Sequence, residues 1–161
     1  MPTEIERRFL IVPRLLPRKL PKADRIVQGF LNFAPVVRVR LRRSGKDGRT
    51  RAYLTVKGHG LRVRAEYEYA IPVVHARALL KLCGAAVIEK DRTVYGPWEI
   101  DVYRGRHRGL QVVEIELPHA RAKLPNPLPE WVGREVTEDP RYTNSHLARA
   151  KKWPPGKDFF V

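Results

Sequence analysis

The sequence predicts a mainly β (α+β) fold, a closed eight-stranded antiparallel barrel with a few flanking helices. Eight stretches alternate apolar and polar residues with the two-residue period of a β-strand. Short turn sequences join most of these stretches, and few segments have helical spacing. Closing such a meander removes its two exposed edges, and eight strands leave an interior wide enough for side chains or a small ligand.

The predicted strands follow one another along the chain, with turn signals between them. The clearest turns are Ser-Gly-Lys-Asp-Gly at residues 44–48, Gly-His-Gly at residues 58–60 and Gly96-Pro97. The eight predicted strands are residues 3–12, 25–33, 35–43, 50–57, 62–71, 86–94, 97–103 and 111–117.

Two segments have the apolar spacing of helices. Residues 73–82 form the first, and residues 144–151 form the second, with Thr143 or Asn144 as its N-cap. Residues 13–21 contain prolines and predict a short helical turn. These helices are short enough to flank a barrel rather than to build a separate layer.

Length, net charge and cysteine count limit the classes of protein to which this chain can belong. The 161 residues predict one domain, 1–161, with a tail from about residue 152 to 161. Lys and Arg number 32 against 17 Asp and Glu, and the resulting charge of +15 attracts polyanions without choosing among them. A single cysteine excludes an internal disulfide. Neither a signal peptide nor an apolar run of about 18 residues is visible, so we expect a cytoplasmic protein with no membrane partner.

Charged residues occupy alternate positions on the predicted strands. On the first strand Glu4, Glu6 and Arg8 share one face, while Ile5 and Phe9 lie on the other. Two carboxylates so placed can bind a hard divalent cation, and an arginine beside them can bind an anion. Periodicity alone favours a solvated outer face. However, acids and bases cluster together here, and helices can cover the opposite faces, which favours a charged tunnel inside the barrel.

The predicted tunnel contains as many acids as bases. Its charge is therefore nearly balanced, and two divalent cations would supply four positive charges to match a triphosphate. The predicted bases are Arg8, Arg38, Arg40, Lys57, Arg64, Lys90 and Arg92, and the predicted acids are Glu4, Glu6, Glu66, Glu68, Asp101, Glu114 and Glu116.

The pattern Glu4-x-Glu6-x-Arg8 resembles the amino-terminal signature of the CYTH superfamily, the triphosphate tunnel metalloenzymes. The resemblance runs in order along nearly the whole chain and is strongest to the short bacterial single-domain members. The matching segments are residues 28–31, 37–40, 54–57, 64–68, 90–92, 99–103, 114–116 and 131–137, followed by Tyr142 and Asn144.

This resemblance implies a metal-dependent hydrolase of inorganic tripolyphosphate or a nucleoside triphosphate, with two Mg2+ or Mn2+ ions in the tunnel. It implies that all seven predicted bases bind phosphate. By position, Glu4, Glu6 and Glu116 hold the first metal, while Glu68, Asp101 and Glu114 hold the second or orient water, with Glu66 nearby. Catalytic roles then fall to Arg8, Glu68, Asp101 and Glu114.

Two residues depart from the family pattern. Arg8 stands where the signature has lysine, and Phe30 stands where the short bacterial members often have tyrosine. We hypothesise that they changed together because they are neighbours across the tunnel. The departures keep a non-catalytic polyphosphate- or nucleotide-binding module open as an alternative, beside an adenylate cyclase. The charge alone motivates a nucleic-acid binder, but no specific nucleic acid is expected. The family often forms homodimers, which is expected here too.

Overall fold

The computed structural model describes residues 2–151 and consists mainly of antiparallel strands. Two α-helices accompany them, α1 (Val73–Leu82) and α2 (Asn144–Arg149). The strands are β1 (Thr3–Ile11), β2 (Asp24–Phe33), β3 (Val36–Arg43), β4 (Thr50–Lys57), β5 (Val63–Ile71), β6 (Val87–Tyr95), β7 (Trp98–Tyr103), β8 (Gln111–Glu116) and β9 (Val132–Glu135).

The sheet closes on itself through β1. The strand order is β5-β4-β3-β2-β6-β7-β8-β1-β9, and β1 also pairs with β5. Residues 6–10 of β1 pair with β8, whereas residues 3–5 pair with β5. Strands β1 to β8 therefore form the predicted closed eight-stranded barrel.

Strand β9 was not predicted. It contains only four residues, Val-Gly-Arg-Glu, and has no clear apolar alternation. It pairs with the end of β1 at Phe9 and Ile11, beyond the part of β1 that pairs with β5. A Cβ on Gly133 would lie only 3.0 Å from the carbonyl oxygen of Leu10, so glycine permits this approach. Pairing with a distant strand therefore creates β9, which the local sequence does not predict.

The two helices form where the sequence predicts them. Helix α1 has the predicted bounds, and Gly84 follows it with a φ of 59°, the left-handed conformation that glycine adopts readily. Helix α2 ends at Arg149, two residues before the predicted end. Thr143 is its N-cap and accepts a hydrogen bond from the His146 amide at 3.2 Å. A 3-10 helix at Pro13–Leu15 is the predicted short turn, whereas the predicted tail from residue 152 lies outside the described residues.

Apolar side chains on the outside of the barrel are covered by different parts of the chain. Helix α1 packs Ala76 against Val39 and Ala52 of β3 and β4. Leu147 of α2 packs in a second cluster with Leu10. A third cluster surrounds the paired rings of Trp98 and Trp131, outside β7 and β8. With much of the apolar surface packed outward, alternation turns the charged faces of the strands toward the barrel interior. No helix among residues 2–151 is long and apolar enough to span a membrane.

Candidate active site

A cavity of about 200 Å³ lies inside the barrel and is lined mostly by charged side chains. All eight barrel strands contribute, and the start of α2 adds to the wall. Twelve of the fourteen predicted tunnel residues line it, and Lys90 and Asp101 do not. The predicted residues in the lining are Glu4, Glu6, Arg8, Arg38, Arg40, Lys57, Arg64, Glu66, Glu68, Arg92, Glu114 and Glu116.

One wall of the cavity, on β3, carries an excess of positive charge. Arg40 is buried, and its Nε donates to Gln28 Oε1 at 2.9 Å, but it forms no ion pair within residues 2–151. Burial, reinforced by the charges of Arg38 and Arg92, lowers the pKa of Arg40 to about 9. Arg38 Nη2 lies 3.6 Å from Glu68 Oε1, and its buried Nε has no partner. A buried cation that lacks a full counter-charge is stabilised when an anion binds beside it.

Another wall, on β1 and β8, carries an excess of negative charge. The Arg8 guanidinium joins two buried carboxylates, Glu6 at 2.7 Å and Glu114 at 3.1 Å. Burial and the neighbouring Glu114 raise the pKa of Glu6 to about 8. Glu116 lies directly opposite Glu6 in the strand register, and burial together with Glu4 raises its pKa as well. One arginine does not neutralise this group of acids, so a further cation would be stabilised beside it.

Ion pairs join the strands where the barrel closes. Lys57 Nζ donates to both carboxylate oxygens of Glu4, at 3.1 and 2.9 Å, and lies 3.1 Å from Glu66. Arg64 Nε donates to Glu4 at 3.1 Å. Burial would raise the pKa of Glu4, but the charges of Lys57 and Arg64 outweigh it and lower that pKa to about 2. Glu4 is thus ionised and already paired with bases.

Lys90 and Asp101 lie behind the cavity wall rather than in it. Both side chains are fully buried, and Lys90 Nζ lies 2.7 Å from Asp101 Oδ2. Asp101 also accepts from Arg92 Nε at 2.7 Å and Nη2 at 2.8 Å. Burial lowers the pKa of Lys90 to about 7, although Asp101 opposes the change. The structure therefore places both residues outside the cavity lining. Asp101 holds Arg92, which does reach the cavity, and Lys90 also donates to the lining residue Asn144 at 3.3 Å.

Comparison with known proteins identifies relatives of nearly the same length. An inorganic triphosphatase from Acetivibrio thermocellus is 41% identical over 155 residues, covering 92% of this chain and 95% of that protein. An inorganic triphosphatase from Nitrosomonas europaea is 35% identical over 157 residues, covering 91% of this chain and 97% of that protein. No family model matches the chain. The chain belongs to the inorganic triphosphatase family.

Solved structures of the inorganic triphosphatase family share the fold. A crystal structure described as an inorganic triphosphatase aligns with a TM-score of 0.63 and 31% identity, covering 95% of this chain and 99% of that one. A second crystal structure, described as a hypothetical protein, aligns with a TM-score of 0.61 and 32% identity, covering 91% and 98% of the two chains. The resemblance to the short bacterial triphosphate tunnel metalloenzymes is confirmed.

The cavity of this triphosphatase family member also contains residues that the sequence analysis did not assign to it. The sequence pattern could have assigned two of them. Glu99 shares a strand face with Asp101 on β7, and Arg42 shares a strand face with Arg40 on β3. The wall from α2 had no such signal, because only the tertiary fold brings that helix to the barrel. The unassigned lining residues are Val36, Arg42, Glu99, Thr143, Asn144 and Ser145, and Phe30 lines the cavity as the hypothesis about Arg8 and Phe30 requires.

The tunnel acids have the chemistry that a divalent metal requires. Mg2+ and Mn2+ prefer oxygen ligands, and every acid in the cavity offers carboxylate oxygens. The crowded pair Glu6 and Glu114 shows where an added cation would relieve repulsion. Within residues 2–151, no three acidic, histidine or cysteine side chains already converge in metal-binding geometry. The donor types fit a metal, and binding would require some carboxylates to turn from their present base partners.

Proposed function

We propose that this protein hydrolyses a triphosphate, inorganic tripolyphosphate or a nucleoside triphosphate, inside its barrel with the help of two Mg2+ or Mn2+ ions. The observation that carries the proposal is the separation of charge within one buried cavity. On β3, Arg40 has no carboxylate partner within residues 2–151, and the buried Nε of Arg38 has no hydrogen-bond partner, whereas crowded carboxylates lie on β1 and β8. An anion-binding module alone would have no need of the acids.

The arginines of the cavity bind the phosphates. Arg38 and Arg40 occupy the same face of β3, two residues apart and roughly 7 Å along the strand, so each can contact a different phosphate of one chain. Their guanidinium groups are planar forks that suit phosphate oxygens. Arg92 joins them from β6, held in place by Asp101. Arg8, Lys57 and Arg64 add further phosphate contacts once the carboxylates that they now bind turn toward metal. Lys90 was predicted with them, but its burial against Asp101 favours a positioning role instead.

The acids of the cavity hold the metals. We assign Glu4, Glu6 and Glu116 to the first ion, and Glu66, Glu68 and Glu114 to the second. Asp101 was predicted beside them, but its contacts with Lys90 and Arg92 favour a positioning role instead. Bound divalent ions supply charge neutralisation of the phosphates and a lowered pKa for water.

Hydrolysis then breaks one phosphoanhydride bond. A water oxygen forms a bond to the terminal phosphorus as the bridging oxygen leaves with its electron pair, giving orthophosphate and the shortened chain. Beside their place at the second ion, Glu114 orients the water and Glu68 accepts its proton. Burial would raise the pKa of Glu114, but the charges of Arg8 and Arg92 outweigh it and hold that pKa well below its usual range, which makes Glu114 a weak base. Arg38 and Arg40 stabilise the charge that spreads over the phosphate oxygens, and because they are held rigidly, little reorganisation is needed in the transition state.

The setting of the reaction is part of the proposal. We place the protein in the cytoplasm, acting on a small polyanion with no specific nucleic-acid partner and no membrane partner. We also propose that it forms a homodimer. Size-exclusion chromatography with light scattering tests the assembly, and a monomer at all concentrations would reject it.

Phosphate release tests the proposed chemistry. The wild type, Glu6→Gln and the control Asp47→Asn are assayed with tripolyphosphate and ATP, each with Mg2+, Mn2+ or a chelator. We expect metal-dependent release by the wild type and by the control, whose carboxylate lies in the turn before β4, and a loss on the order of 10²-fold in Glu6→Gln. Tight triphosphate binding without release by the wild type would instead establish the binding module.

A further inference from the structure

The cavity continues into two pockets at opposite ends of β3. Arg40, Arg42 and Glu68 line both the cavity and one pocket, whereas Val36 and Arg64 line both the cavity and the other. Val36 and Arg42 are six residues apart on one strand, a distance of about 20 Å. The barrel is therefore open at two mouths with different walls.

The two mouths differ in chemistry. The arginine mouth, of about 340 Å³, is formed by Asp24, Arg42, Ser44, Arg51 and Tyr53 beside the shared residues. It suits the charged end of a polyanion.

The aromatic mouth, of about 200 Å³, is formed by Phe33, Pro35, Leu61, His59, His146 and Arg149 beside the shared residues. Apolar and aromatic groups are more prominent here, and this wall lacks acidic residues among those described. Such a wall, with planar groups beside bases and without acids in the described part of the chain, suits a flat group that is attached to a phosphate chain.

A stack of flat groups leads from the cavity into the aromatic mouth. Phe30 lines the cavity and stacks on Phe33, with ring centroids 5.9 Å apart and planes at 15°. The Arg149 guanidinium lies over Phe33 at 4.3 Å from its centroid. Arg149 is exposed and forms no ion pair within residues 2–151. Its planar group is thus held in position by the ring while remaining accessible to a ligand.

We propose that the aromatic mouth binds the base of a nucleoside triphosphate by stacking on Arg149, while the triphosphate occupies the cavity. This inference rests on the proposed function and adds a residue that determines substrate preference. Guanidinium planes stack readily on nucleobases. Because Arg38 lies two residues from Val36 on the same strand face, roughly 7 Å separates the phosphate site from this mouth. One nucleotide can therefore contact both.

The test compares two substrates in matched variants. ATP and tripolyphosphate share the phosphate chain, but only ATP carries a base. Arg149→Ala is expected to lower kcat/KM for ATP on the order of tenfold while changing kcat/KM for tripolyphosphate less than about twofold. Arg51→Ala, which removes an exposed arginine from the other mouth, is the control and is expected to leave the ratio of the two values unchanged.

A lysine variant separates stacking from charge. Arg149→Lys keeps the positive charge but lacks the flat group, so it should behave like Arg149→Ala. Full recovery of ATP hydrolysis by lysine would overturn the stacking proposal. An equal fall for both substrates, or no change for either, would overturn it too.

The proposed function and this inference can fail separately. If the wild type hydrolyses tripolyphosphate but not ATP, ATP is tested as a competitive inhibitor, and an inhibition constant unaffected by Arg149→Ala overturns the inference alone. If the wild type hydrolyses neither, the proposed function fails. Calorimetric titration with ATP and tripolyphosphate then decides the inference, which requires Arg149→Ala to weaken ATP binding selectively.

Discussion

Arg40 has the features of a residue retained for binding rather than stability. Its guanidinium is buried and pairs with the neutral Gln28 amide rather than with a carboxylate. Burying an unpaired charge costs free energy in the folded state. A bound phosphate would supply the missing counter-charge, which explains why such an arrangement can persist in a tunnel.

Arg40→Gln should therefore separate activity from stability. Since no carboxylate loses its partner, we expect the free energy of unfolding to stay within about 1 kcal/mol of the wild type or to rise. The kcat/KM for tripolyphosphate should fall on the order of 10²-fold, because one fixed phosphate contact is lost. Urea unfolding and steady-state kinetics measure the two quantities. Unchanged kcat/KM would remove Arg40 from the substrate site.

Arg8 and Phe30 are the residues at which this chain departs from its family pattern. Both line the cavity, and Arg8 holds Glu6 and Glu114 together through two nitrogen atoms. Lysine would have to reach both carboxylates from one compact ammonium group, whereas arginine reaches them from two separate nitrogen atoms of a planar fork. The hypothesis that the two residues changed together remains a prediction about their coupling.

A double-mutant cycle tests this coupling. Arg8→Lys and Phe30→Tyr are made singly and together, and tripolyphosphate and ATP hydrolysis are measured for each. If the two residues are neighbours across the tunnel, the double variant should depart from the product of the single effects by at least about twofold. Multiplicative effects with no change in substrate preference would show that the two positions act independently.

At the scale of elements, helix α2 is a short wall that other segments hold in place. Arg106 donates to the carbonyl oxygens of Ala148 at 2.6 Å and Ala150 at 2.9 Å, near the end of the helix. At its start, Asn144 accepts from Tyr103 at 2.5 Å and also lines the cavity. The basic loop before β8 thus fixes the position of an active-site wall.

Arg106→Ala should weaken that wall. We expect a loss of about 0.5–1.5 kcal/mol in the free energy of unfolding, because the carbonyl groups at the end of α2 lose their side-chain donor. We also expect a rise in KM for tripolyphosphate. Arg108→Ala is the matched control, since this exposed side chain makes no hydrogen bond within residues 2–151. Identical thermal unfolding of the two variants would contradict the proposed role of Arg106 in holding α2 in place.

The sequence predicts elements well where the signal is local. Alternation on β1 and β3, and the spacing of α1 before Gly84, depend on neighbouring residues and match the structure closely. Strand β9 depends on pairing with a strand far away in the chain, so its four residues carry little signal. The same reason explains Asp101: alternation gives its face correctly, but only the fold shows that Lys90 and Arg92 surround it.

At the scale of the whole molecule, the charge of the predicted tunnel residues differs from the charge of the rest of the chain. The predicted tunnel set balances acids and bases, so the net charge of +15 comes from residues elsewhere in the chain. That outer charge attracts polyanions over distances comparable to the Debye length. Raising salt from about 0.05 M to 0.5 M should therefore increase KM for tripolyphosphate with a smaller effect on kcat. An equal effect on both constants would argue against attraction by the outer surface.

Under the proposed function, the charged tunnel breaks phosphoanhydride bonds of a triphosphate with the help of metal. Phosphorus NMR of the wild type incubated with tripolyphosphate or ATP, with Mn2+ or with excess chelator, tests it most directly. We expect orthophosphate with a shortened chain from at least one substrate, only when metal is present. Cyclic AMP with pyrophosphate, unchanged substrates, or release that persists in chelator would contradict it.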